Sequence, residues 1–98
     1  MKLDYLLNYM TDDEHNCVVN NLDEQTILDL AVMQNNVQEV LTYLKNIGVN
    51  NIAGVISFRH DLCFKTISEL EEQFKELGKE HVVYIFNNSI TDLANFKI

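Results

Sequence analysis

The chain contains no proline, and Asn, Asp and Gly stand at the breaks between its apolar segments instead. Glycine is scarce too. Gly48, Gly54 and Gly78 are scattered and form no phosphate-cradling loop. Two cysteines, Cys17 and Cys63, are too few for a disulfide framework and lack the C-x-x-C spacing of a redox pair. That usage points to a reducing cytoplasm. There is no signal-peptide pattern and no long apolar run, so neither secretion nor membrane spanning is expected. Basic residues are few: seven Lys and Arg face fifteen Asp and Glu, a formal charge of −8. Phosphate binding draws its strength from Lys and Arg displacing counterions, so this balance disfavours nucleic acid as a partner. It suits a protein partner with a basic surface, steered in by long-range attraction, and it also keeps a small protein in solution.

Against these absences, 47% of the 98 residues are apolar, enough for one folded domain over 1–98 whose core needs neither metal nor disulfide. The most regular stretch is 23–49. Ile27, Leu28 and Ala31 mark the apolar side of one helix. Val37, Val40, Leu41, Leu44 and Ile47 mark a second at helical spacing, with a turn at Met33–Asn36 between them. Asn36 with Glu39 reads as a capping box, and Gly48 stands where a left-handed residue would end the helix. Upstream, Leu3, Leu6, Leu7 and Met10 share a helical face. Thr11 with Glu14 makes another capping box, opening a helix that would bury Cys17, Val18 and Leu22. Asp23 can cap the helix after it.

An internal echo follows. Shifted by thirty residues, 37–48 lands on 67–78. Val37, Val40, Leu44 and Ile47 then meet Ile67, Leu70, Phe74 and Leu77, and Gly48 meets Gly78. Thr66 with Glu69 supplies the matching cap. Such a period is a mark of stacked supersecondary units. Ser89 and Asp92, with Ile90, Leu93, Ala94 and Ile98, suggest a final helix. The fold expected is all-α, a short stack of antiparallel helix pairs. The alternative is α/β, because 54–58 (GVISF) and 82–86 (VVYIF) are rich in β-branched and aromatic residues and would be parallel strands around the 67–77 helix.

The 26–50 segment resembles one ankyrin repeat. Thr26, Leu28, Ala31, Asn36, Glu39, Val40, Leu41, Leu44 and Gly48 follow that motif, while Ile27 and Asp29 stand where the family has proline and histidine. The resemblance implies a non-catalytic, protein-binding scaffold. Residues 43–93 resemble the repeat of mitochondrial transcription termination factors, through Arg59, Leu62, Ser68 and Leu70, without that family's proline. This resemblance implies a nucleic-acid-binding helical repeat, for which only Arg59, Lys65, Lys75 and Lys79 could supply the basic surface.

Candidate chemistry is thin. His15, Cys17, His60 and Cys63 offer four nitrogen and sulfur ligands, but H-x-C is an awkward spacing on a helix, and both cysteines read as small core residues. A Cys–His catalytic pair would need a depressed thiol pKa beside Asp12, Asp13, Glu14 or Asp61, which push the other way. Glu69, Glu71, Glu72 and Glu76, with Lys75 and Lys79, read as a solvated helix face. Tyr5, Tyr9, Tyr43 and Tyr84 are core residues or interface anchors. The expectation is therefore a small acidic interaction module without enzymatic activity, metal or cofactor. It would act in the cytoplasm as a regulator or inhibitor of a protein with a basic surface, or pair as a homodimer. Asp12, Asp13, Glu14, Asp23, Glu24 and Asp29 are the residues expected to meet the partner.

Overall fold

The computed structural model describes residues 3–89 and Asp92. Among the described residues six α-helices follow one another: α1 (Asp12–Asn21), α2 (Glu24–Val32), α3 (Gln34–Asn46), α4 (Ile52–Arg59), α5 (Ile67–Leu77) and α6 (Lys79–Asn88). Two 3₁₀ segments, Asp4–Asn8 and His60–Phe64, precede α1 and follow α4. No strand occurs among the described residues, so the fold is all-α. The strand alternative fails at both places. GVISF lies in α4, where Ile52, Val55, Ile56 and Arg59 are buried at i, i+3, i+4 and i+7. VVYIF lies in α6, where Val82 and Phe86 are buried and Tyr84 points out. Short apolar runs fit either period until a cap decides, and Asn51 supplies one by accepting from the Gly54 amide. A Cβ on Gly54 would come within 2.5 Å of the Asn51 carboxamide.

Helix α3 is central. It packs against α2, α4, α5 and the second 3₁₀ segment, while α1 packs on α4 and α5 on α6. Its Val37, Val40, Leu41 and Leu44 are fully buried, each worth about 1.5–3 kcal/mol of transfer free energy. The helix closes as the glycine spacing predicts. Gly48 has φ +110°, its amide donates to the Lys45 carbonyl, and the Val49 amide reaches back to Leu44. Those two bonds make a Schellman motif, and Val49 and Leu44, the positions where that motif favours apolar residues, are both fully buried.

The start of α3 differs from expectation. Only Met33, rather than Met33–Asn36, separates α2 from α3. Its ψ of 22° departs from the helical value by about 60°, which bends the chain there. Asn36 therefore lies inside α3 and caps nothing. Its carboxamide donates instead to the carbonyls of Cys63 (2.8 Å) and Lys65 (3.1 Å), tying α3 to the end of the second 3₁₀ segment and the residue that follows it. The caps at Thr11, Asp23 and Thr66 all form, and Thr11 with Glu14 makes the complete box.

Three burial assignments are corrected. Residues 4–8 are 3₁₀, so Leu3 and Leu6 eclipse and are buried together, while Leu7 turns outward and Tyr5 turns in. In α1, His15 rather than Cys17 is buried with Val18; its Nε2 bonds to the Leu3 carbonyl at 3.1 Å, and Cys17 is exposed. In α2, Leu30 is the fully buried residue and Leu28 faces out. A clamp holds the linker before α4. Asn87 of α6 accepts from the Asn50 amide (2.8 Å) and donates to the Gly48 carbonyl (3.0 Å). The expected last helix over 89–98 falls largely outside the described residues.

Candidate functional site

The six acids singled out from sequence do not form one patch. Asp12, Asp13 and Glu14 sit in the first turn of α1, and Asp23 and Glu24 open α2 beyond its far end. The ten residues of α1 put about 15 Å between the two groups. Three of the six also hold the fold. The Glu14 carboxylate accepts from the Thr11 amide at 2.9 Å, Asp23 accepts from Thr26 at 2.7 Å, and Asp29 accepts from the Gln25 side chain at 2.9 Å. The bonds from Thr26 hold the Asp23 carboxyl below the usual carboxylate range, so it stays charged. Asp12, Asp13 and Glu24 present exposed carboxylates.

Ile27 and Ala31 pack on the core as their spacing predicts, but Leu28, expected beside them, lies on an outward line that Glu24 opens. Glu24, Leu28 and Val32 follow at i, i+4 and i+8 on the outer side of α2, with Met33 next to Val32. Val32 is 81% exposed, Leu28 43% and Met33 39%. Two large apolar side chains on one short helix, and Met33 just after it, are thus exposed, with an acidic end at Asp23–Glu24. That combination is unusual away from interaction surfaces.

A second feature, a concave one, was missed entirely. The outer stripe of α3, opposite its buried side, floors an open groove of about 770 Å³. Asn35, Gln38, Thr42 and Asn46 run along it. Tyr9 walls one flank; its hydroxyl meets the Gln38 carbonyl (3.3 Å) and the Thr42 hydroxyl (3.1 Å). Tyr43 and Ile67 stand on the other, with Glu39 between. Burial, with the Glu71 charge adding to it, pushes the Tyr43 phenol above its ordinary pKa, so it stays neutral. Lys45 lies over the Tyr9 ring at 5.9 Å and Lys79 over the Tyr43 ring at 5.6 Å. The groove joins residues from three distant segments, so no local pattern announces it. The polar run on α3 was the only signal.

The chemistry weighed from sequence finds no assembled site. Among the described residues no three His, Cys, Asp or Glu side chains come close enough to share a metal ion. Cys63 is fully buried, and desolvation pushes its thiol up to about 12, which leaves it a poor nucleophile. Arg59 is buried and donates through Nε (2.9 Å) and Nη2 (3.0 Å) to Asp61, whose carboxyl is held low by that pairing. It therefore does not join Lys65, Lys75 and Lys79 in a basic surface. No helix among the described residues is long and apolar enough to cross a membrane. Comparison with known protein families, with characterised proteins and with solved structures gives no match.

Proposed function

We propose that the protein is a non-catalytic interaction module that binds a basic partner protein, with the outer face of α2 as the anchor. The observation that carries this reading is the exposed Leu28, Val32 and Met33 beside Asp23 and Glu24. Apolar anchors rimmed by charge of one sign are what an amphipathic basic helix would complement. The acids give the approach its rate and its selectivity, and the apolar side chains give the hold. Asp12 and Asp13, one helix length away, act in steering rather than in contact. The ankyrin-like and termination-factor-like resemblances both favour a binding scaffold; the net charge of −8 favours protein over nucleic acid and opposes pairing of two copies through this face. The regulatory or inhibitory role follows if the partner's basic surface is its working surface.

The test is a titration with a labelled amphipathic peptide carrying Lys on one helical face and Leu on the other. Binding should weaken as salt rises, and Val32→Asp should cost roughly tenfold or more in affinity. Asp12→Asn with Asp13→Asn should slow association without changing dissociation. Affinity that is indifferent to both salt and Val32→Asp would overturn the reading.

A further inference from the structure

The groove on α3 has a lining of a particular kind. Asn35, Gln38 and Asn46 place three carboxamides along one stripe, with the Thr42 hydroxyl between them. None of these carboxamides forms a hydrogen bond within the described residues, whereas Asn36, Asn51 and Asn87 spend theirs on backbone. A carboxamide carries both a donor and an acceptor, as a peptide group does. This molecule already uses that match. Asn87 reads a carbonyl and an amide of the linker at Gly48–Asn50 with one side chain, and Asn36 holds the carbonyls of Cys63 and Lys65, two residues apart.

The spacing suits the same kind of ligand. Asn35 to Asn46 spans about 16 Å of helix. An extended chain rises about 3.3 Å per residue, so about five residues fit along it. Steps of three and four residues on α3 rise about 4.5 and 6 Å, and the longer step, which separates Gln38, Thr42 and Asn46, comes near the two-residue repeat of about 6.6 Å with which an extended strand presents peptide groups to one side. The groove is open along its length, so it cannot enclose most of a small molecule's surface, and an elongated ligand uses it better. Charge narrows the choice. Glu39 stands in the groove, while Lys45 and Lys79 are held over the tyrosine rings at its flanks. A phosphate chain would meet that carboxylate; a lysine or arginine side chain would pair with it.

We propose that the α3 groove is a separate binding site for an extended polypeptide segment, read through its backbone by Asn35, Gln38 and Asn46 and through one basic side chain by Glu39. It lies on a different helix from the α2 face, and the two can fail independently.

The experiment is an amide and side-chain NMR titration of the intact chain with an alternating Thr–Lys decapeptide at millimolar excess. Signals of Gln38, Thr42, Asn46 and the Asn35 and Gln38 carboxamides should shift together. Asn35→Ala with Gln38→Ala, both on exposed or half-exposed positions, should weaken binding roughly tenfold while the thermal midpoint holds. Glu39→Gln should weaken the Thr–Lys peptide and leave an alternating Thr–Gln peptide unaffected. A decapeptide N-methylated at every second residue should not bind. Equal binding of that N-methylated peptide would overturn the proposal. So would shifts confined to α2, or groove shifts produced by oligouridylate or a linear glucan and not by peptide. No shift at all would overturn it as well.

Discussion

Helices α3 and α5 share an apolar spacing and a following glycine with positive φ, yet they are held in place by different means. In α3 the first and fourth echo positions, Val37 and Ile47, are buried and half-buried; in α5 their counterparts are half-buried Ile67 and Leu77, which is 37% exposed. Helix α5 starts on a side-chain cap from Thr66, and α3 starts on none. After Gly48 comes buried Val49, which closes a Schellman turn. After Gly78 comes exposed Lys79, which begins the next helix at once. A helix surrounded by others needs no cap of its own, because packing fixes where it begins. Helix α5, with fewer neighbours, starts on a signal of its own.

The largest expected effect tests that contrast within α5. Phe74 is fully buried against the rings of Tyr43 (6.3 Å) and Phe86 (5.7 Å), so Phe74→Ala should cost about 3–5 kcal/mol in denaturant unfolding. Leu77→Ala, on the exposed end, should cost below about 1 kcal/mol. Similar losses at both would show that α5 is packed along its whole length. Next come the glycines. Gly48→Ala forces a left-handed alanine that also presses on Val83 at 3.4 Å, and should cost about 1–2 kcal/mol or more. Gly78→Ala meets only His81 at 3.7 Å and should cost less, despite a similar φ. A larger penalty at Gly78 would reverse the view of which closure matters.

Smaller still is the cap. Thr66→Ala should cost about 1 kcal/mol, felt as fraying of the first turn of α5. Asn36→Ala should instead loosen the loop at Cys63–Lys65 and leave the start of α3 intact, which amide exchange would resolve. The pH dependence is a separate check on burial. Burial raises the Tyr5 phenol, and raises the Cys63 thiol from 9.0 to about 12. The unfolded chain therefore releases those protons first, and stability should fall as pH rises beyond the ordinary thiol value. On the acid side, the lowered carboxyls of Asp23 and Asp61 contribute stability above the ordinary carboxylate range, and it is lost as pH falls through their folded values. A denaturant midpoint that stays flat above pH ~9 would contradict the burial of both groups.

Local signals carried much of the fold. Thr11, Asp23, Thr66 and Gly48 act on atoms within a few residues, so their spacing was enough to place helix ends. The core stripe of α3 was legible because its period persists over three turns. What could not be read depended on distant segments. His15 is buried because Leu3 offers it a carbonyl, and Leu28 is exposed because Leu30 takes the inner side of α2. The acids were legible as charge, but their separation by α1 and the capping duties of Glu14 and Asp23 were not. The α3 groove exists only once Tyr9, α3 and Ile67 meet.

The unequal fates of the two cysteines have a practical side. Cys63 is sealed in the core, and Cys17 stands in solvent on α1. A maleimide dye would therefore find one accessible thiol in the native molecule, on the helix that begins with one acidic group and leads to the other. The wild-type chain carries its own attachment point for a fluorescent reporter of whatever docks nearby.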